Sequence, residues 1–324
     1  MQSFNELLEL VSNKIEKLKY QKEPRELYEP IEYILALGGK RIRPVICLMS
    51  CEMFGGKIDK ALYAAIGMEM FHNFTLVHDD IMDDADMRRG KPTVHVNWND
   101  NRALLSGDAM IILANQLMMR VDDHLLRDVM ALYNKTGLQV CDGQQLDLNF
   151  EKRDSIRMDE YMKMIELKTA VLLAGCLRLG AVIAETSDVN KDLIEEFGWN
   201  LGISFQIEDD LLDSFGDFEK FGKSIGGDIL INKKTFLLVK AMEIADKDTR
   251  LKIDHWLNLK EFDKSEKVKT FISIYNKLNI KEIALAESKV YYDKAIDALN
   301  RIDILQEEKI QMVQFAKMLI SREN

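Results

Sequence analysis

The chain has 324 residues, 47% of them hydrophobic and 30% charged, enough apolar side chain for a sizeable core in one large domain or two smaller ones. Lys and Arg total 44 against 54 Asp and Glu, and the net charge of −10 argues against a general nucleic-acid or anionic-membrane binder. The four cysteines, Cys47, Cys51, Cys141 and Cys176, form no CxxC pair and have no nearby histidine to complete a zinc set, so they read as core thiols in a reducing cytosol. Prolines are few, Leu and Met are frequent, and apolar residues recur at i, i+3 and i+4, which predicts an all-α chain. The first predicted helix, over 4–20, is amphipathic and charged, unlike a signal peptide. A second over 24–37 is stopped by Gly38-Gly39, and a third over 45–54 is closed by Gly55-Gly56. Asp59 is expected to cap a long helix that runs to Asp83. Residues 84–97 read as a loop held by Gly90 and Pro92. Helices follow at about 98–120, 122–150, 158–185 and 188–215, then a glycine-bearing loop over 215–232 and a helix over 235–245. From Asp248 onward the chain is charged, helical and poorer in chemistry. No apolar run is long enough to span a bilayer. The expected architecture is one domain over 1–324, a helical barrel or bundle around a central cavity, in a cytoplasmic protein.

The organising stretch is Asp79-Asp80-Ile81-Met82-Asp83, followed by Arg88-Arg89-Gly90. Positions i and i+4 share a helix face, so Asp79 and Asp83 can aim carboxylates at one spot with Asp80 beside them. Hard divalent cations take carboxylate, water and phosphate oxygens, and arginine forks suit phosphate. Such a run alone reads equally well as a solvated acidic loop. A second copy tips the balance: Asp209, Asp210 and Asp213, within Phe205-Gln206-Ile207-Glu208-Asp209-Asp210, repeat the spacing. Two such helices facing each other across a cavity could hold several metal ions around one diphosphate. Gly38-Gly39-Lys40-Arg41-Ile42-Arg43-Pro44 is a basic turn without the spacing of a Walker-type phosphate loop, and by itself fits solvated surface. His72 lies two turns before Asp79 on the same face, where a lone histidine is commonly a core residue. Lys168-Thr169 sits in mid-helix, where a lysine can be an edge residue whose stem covers apolar surface.

Together these motifs, from about Gly38 to about Thr235, resemble the trans-isoprenyl diphosphate synthases, the polyprenyl synthetase family. The resemblance implies condensation of isopentenyl diphosphate with an allylic diphosphate, metal ligation by Asp79, Asp80, Asp83, Asp209, Asp210 and Asp213, and roughly three Mg2+ ions per site, with Mn2+ as a substitute. It implies that Lys40, Arg43, His72 and Arg89 hold the isopentenyl diphosphate. Arg88, Lys168, Thr169, Lys223 and Lys233 would serve the allylic one, and Gln206 would stand near the reacting carbons. Gln144 and Asp147 match a cavity-lining segment or serve helix packing. Asp84, Asp86 and Glu208 are solvated or support the metal ligands. The C-terminus lacks the basic tail of some farnesyl synthases. A homodimer is expected from the family. One helical turn rises about 5.4 Å, close to an isoprene unit, so Phe74 and Thr75, five and four positions before Asp79, are expected to floor the cavity. An aromatic at minus five, with no insertion in the first motif, resembles the archaeal-type geranylgeranyl synthases, and that resemblance implies a C20 product over farnesyl (C15) or longer ones. The rival readings are a terpene cyclase, which would carry a different second metal motif, and a non-catalytic regulatory subunit, which would lose one aspartate motif.

Overall fold

The computed structural model describes residues 2–20, 22–216 and 226–321. It is all-α apart from two strands of two residues each. The helices are α1 (Phe4–Lys17), α2 (Arg25–Ala36), α3 (Ile42–Met53), α4 (Ile58–Met82), α5 (Val94–Asn97), α6 (Asp100–Met118), α7 (Leu126–Glu151), α8 (Met158–Ile165), α9 (Val171–Ile183) and α10 (Asp188–Phe215). After them come α11 (Gly227–Leu230), α12 (Phe236–Ile244), α13 (Lys247–Asn258), α14 (Lys264–Lys277), α15 (Ile280–Arg301) and α16 (Gln306–Ser321). Among the described residues, no helix is long and apolar enough to cross a membrane.

The contacts divide the chain into two compact units. The first comprises Met1–Lys135, Gly175–Glu195 and Ile302–Phe315. Its centre is α3, where Val45, Ile46, Cys47, Leu48, Met49 and Cys51 are fully buried. Gly180 lets α9 press onto it, since a Cβ there would come within 2.1 Å of the Cys47 carbonyl oxygen, and Ser50 Oγ donates to the Leu177 carbonyl at 2.6 Å. On α1 a capping box at Ser3 and Glu6 starts the helix. Its Leu7, Val11 and Ile15 are then buried, each contributing about 2 kcal/mol. The second unit comprises Thr136–Ala174, Glu196–Arg301 and Ala316–Asn324. Its core gathers Tyr161 of α8, Ile207 and Leu211 of α10, most of α12, and Phe271 and Tyr275 of α14.

Several local expectations change. Asp59 does not cap α4: Lys57 is the N-cap, without a side-chain bond, and Asp59 lies in the first turn, where its charge favours the positive helix end. The segment expected as loop over 84–97 contains a hairpin, Met87–Arg88 paired with Lys91–Pro92, and α5. The helix expected over 158–185 is interrupted by a π-helical turn at Glu166–Ala170. Cys141 is exposed, whereas Cys47, Cys51 and Cys176 are the expected core thiols.

Candidate active site

In the first unit, α4 ends on the aspartate motif through a specific stop. Asp84 is left-handed (φ 49), its N–H donates to the Ile81 carbonyl at 3.3 Å, and the Ala85 N–H donates to the Asp80 carbonyl at 2.9 Å. These two bonds form a Schellman motif, in which aspartate is among the few residues tolerated at the left-handed position. Asp84 therefore terminates the helix. The Asp86 carbonyl accepts from the Thr93 N–H at 3.0 Å and closes the base of the hairpin. Arg89 (φ 52) and Gly90 (φ 73) form its two-residue turn, the primed type that matches strand twist.

That turn sends two neighbouring arginines to different partners. Arg88 grips Asp80, with Nε 2.8 Å from both carboxylate oxygens and Nη2 2.6 Å from Oδ1. Asp79 Oδ2 lies 3.8 Å from the same guanidinium. Burial raises the Asp80 pKa, and the Arg88 bonds pull it back. Asp83 is exposed at the helix end. Arg89 instead donates to the Gly38 carbonyl. A Cβ at Gly39 would fall 2.6 Å from the Arg89 guanidinium carbon, so the second glycine of the basic turn makes room for that arginine.

Arg43 Nη1 lies 3.0 Å from His72 Nε2. A guanidinium only donates, so His72 Nε2 accepts and its proton is assigned to Nδ1. Burial, then the charges of Arg43, Arg89 and Arg88, holds the His72 pKa well below its ordinary value and keeps the ring neutral. Glu69, one turn earlier and buried, accepts from Asn73 Nδ2 at 3.1 Å. Burial raises its pKa while Arg43, Arg89 and Arg41 pull it down. Lys40 is exposed beside them. Phe74 is buried, its ring 5.5 Å from Phe71 and 4.8 Å from His78. Thr75 donates its hydroxyl to the His72 carbonyl at 2.8 Å and shares the α4 face of Asp79.

In the second unit the π turn carries Lys168 and Thr169, and such turns recur at functional sites. Two glycines bring neighbouring helices against it. A Cβ at Gly143 of α7 would meet the Lys168 backbone nitrogen at 2.2 Å, and one at Gly202 of α10 would meet Ala170 Cα at 2.6 Å. One turn on from each glycine stands a partner. Lys168 Nζ pairs with Asp147 at 2.6 Å, and Thr169 Oγ1 donates to Gln206 Oε1 at 2.9 Å. Gln206 Nε2 donates to Asp210 Oδ1 at 3.0 Å. Asp210 Oδ2 accepts from the Tyr161 hydroxyl at 2.5 Å and the Phe236 N–H at 2.7 Å. Burial still dominates and pushes the Asp210 pKa up to about 7. Asp213 accepts from the Asp228 N–H at 3.0 Å. Burial and then the Asp228 charge push its pKa up to about 6. Asp209 is exposed. Lys233 Nζ lies 3.6 Å from Asp228 Oδ1, while Lys234 is buried. Glu208 accepts from Ser288 Oγ at 2.8 Å, which ties α10 to α15. Lys223 lies outside the described residues.

Among the described residues, no three His, Cys, Asp or Glu side chains already form a metal-holding group; Asp80 is turned to Arg88 and Asp210 to neutral donors. The donor set nevertheless fits Mg2+, which prefers carboxylate oxygens. Burial raises the Asp213 pKa first and the charges of Asp228 and Asp209 raise it further, a cost that a divalent cation relieves. Sequence reasoning missed Glu69, Tyr161 and Asp228. Glu69 could have been noticed from its place three residues before His72, and Asp228 from the Gly226-Gly227 pair before it. Tyr161 gave no local signal.

A model of the polyprenyl synthetase family matches residues 24–275. The chain belongs to that family. It is 34% identical to a geranylgeranyl diphosphate synthase of Methanosarcina mazei over 95% of this chain and 94% of that protein. It is 36% identical to one of Sulfolobus acidocaldarius over 92% and 91%. A crystal structure of a geranylgeranyl pyrophosphate synthase superposes with a TM-score of 0.95 at 40% identity, covering 100% of both chains. This member of the family is therefore a prenyltransferase with the all-α isoprenoid synthase fold.

Proposed function

We propose that the chain condenses isopentenyl diphosphate head to tail with allylic diphosphates, in the trans configuration, and releases geranylgeranyl diphosphate. The observation that carries this reading is the set of basic side chains beside the helix of the first aspartate motif, with Arg43 on His72 and Arg89 on the Gly38 carbonyl, suited to a polyanion. The names of the relatives support the C20 product.

Lys40, Arg43 and Arg89 bind the isopentenyl diphosphate, and neutral His72 offers its Nδ1–H rather than a charge. Lys168, Arg88, Lys223 and Lys233 bind the allylic diphosphate. Mg2+, held by Asp79, Asp80 and Asp83 and by Asp209, Asp210 and Asp213, would supply positive charge to the leaving group. The allylic carbon–oxygen bond breaks and its electron pair leaves with the diphosphate. The isopentenyl double bond then attacks the allylic cation, and the departed diphosphate takes the proton that is lost. Asp210 fixes the Gln206 amide so that its oxygen meets the Thr169 hydroxyl. Because Thr169 spends its proton on Gln206, its oxygen lone pairs remain to steady the cation. Such fixed dipoles need no reorganisation during reaction.

Residues 1–324 are read as one catalytic domain, in a cytoplasmic homodimer. Support for the dimer comes from α6, which exposes Leu105, Ile112 and, at its cap, Met119 along one stripe at two-turn spacing. Light scattering that returns the monomer mass would reject it. The functional test is diphosphate release with Mg2+. Release that requires both substrates, with a C20 product by chromatography, supports the reading. Release from the allylic substrate alone would indicate a cyclase, and no release a regulatory subunit.

A further inference from the structure

The C-terminal region, which the sequence marks as poor in chemistry, sends a lysine to the segment that bonds to Asp213 of the second aspartate motif. Lys267 of α14 is fully buried. A buried ammonium costs several kcal/mol unless it is well paired, so its partners reveal its role. Nζ donates to Asn232 Oδ1 at 2.6 Å and to the Leu230 carbonyl at 3.3 Å, and it stands 4.1 Å from the centre of the Phe262 ring. These partners are neutral; Leu230 ends α11 and Asn232 lies in the turn that follows it. Asn232 is left-handed (φ 57), and its amide nitrogen donates to the Leu257 carbonyl at 3.1 Å. At the other end of the turn, Val268 closes over Gly226 (φ 82), where a Cβ would come within 2.8 Å of the valine. Two consecutive residues of α14 thus hold both ends of the 226–232 segment. Between those ends, the Asp228 N–H meets Asp213 and the Gly226 N–H donates to the Asp213 carbonyl at 2.7 Å. Lys233 follows directly and faces Asp228.

We infer that Lys267 is a positioning residue for the allylic half of the reaction: it fixes the 226–233 turn so that Asp228 and Lys233 are presented to the second aspartate motif. The inference rests on the proposed condensation and adds a residue from outside the motifs. Partners that orient metal-binding carboxylates affect metal affinity by about ten- to a hundredfold when removed.

The test is steady-state kinetics on the full chain. Lys267→Met keeps the stem and removes the ammonium. It is expected to raise the Mg2+ concentration for half-maximal rate and the allylic KM by about tenfold, with the isopentenyl KM within about twofold of the parent, and Lys267→Arg should restore part of the loss. Lys309→Met is the control. That lysine is equally buried and donates to the Ile302 carbonyl at 2.6 Å in the first unit, so its loss should lower Tm and leave both constants alone. Should Lys267→Met not fold, Asn232→Gly keeps the left-handed turn, removes the acceptor and should shift the same two constants. The proposal falls if these variants lower Tm while the Mg2+ requirement and allylic KM stay at parental values, or if Lys309→Met moves them equally. If the parent chain itself does not condense the two substrates, the functional reading falls first and takes this proposal with it.

Discussion

Asp80 and Asp210 hold the same place in two copies of one five-residue pattern, yet they are stabilised in different ways. Asp80 is gripped by the Arg88 guanidinium at 2.6–2.8 Å. Asp210 is held by a tyrosine hydroxyl, a backbone N–H and an amide, all of them neutral. A fixed cation answers a buried carboxylate at every pH of interest, whereas dipoles only moderate the desolvation cost. The first motif carries its own compensating charge. The second is crowded further by Asp228 and would gain more from an added cation. Identical spacing in sequence therefore need not mean identical electrostatics.

Removing an acid from either motif should give the largest effect. Asp79→Ala and Asp209→Ala are each expected to lower kcat by about a thousandfold or more, measured as diphosphate release; near-parental activity in either would show that one motif is dispensable and break the comparison. Stability in metal-free buffer separates the motifs next. Asp80→Asn should cost about 2–3 kcal/mol, because it strands the partly buried Arg88. Asp210 has no guanidinium partner, and burial carries its folded pKa further, to about 7 against the ordinary 3.8. A raised pKa contributes stability that is complete below the unfolded value and is lost as pH rises through the folded one. Asp210→Asn should thus be destabilising near pH 4 and progressively less so by pH 8, as read from urea unfolding. A pH-independent difference would mean that Asp210 does not titrate in this window.

A smaller effect is expected at His72. His72→Gln keeps an acceptor for Arg43, and should raise the isopentenyl KM by about fivefold without changing the allylic one. Because the folded His72 pKa is depressed, parental stability should fall as pH drops below about 6.5, and the variant should be spared that part of the loss. The subtlest readout is product length, where little change in rate is expected. Phe74→Ala should lengthen the products, and Thr75→Phe, on the face below Asp79, should shorten them, both by chromatography. An unchanged profile in both would remove this stretch of α4 as the floor.

The sequence showed what is local. Two aspartate pentads, a double glycine after α2 and an apolar period of 3.6 residues are each written within a few positions, and all survive in the fold. What it hid depends on partners far along the chain. Tyr161 meets Asp210 across 49 positions and Lys267 meets Asn232 across 35, and neither pairing leaves a local trace. The π turn at Glu166–Ala170 packs directly on Gly143 and Gly202 of other helices, while its own residues read as ordinary helix. Asp59 was misplaced by two positions because an acid in the first turn and an acid at the cap look alike in sequence.

The hairpin at Met87–Pro92 has a consequence for how this chain can vary. Its two-residue turn hands Arg88 to Asp80 and Arg89 to Gly38, and adjacent residues there cannot exchange destinations. Adding or deleting a single codon between Asp83 and Arg88 would move one guanidinium into the other's berth and carry the second away from its partner. Drift in this link should consequently proceed by replacement of letters and seldom by change of count, although it looks on paper like a stretch of disposable loop.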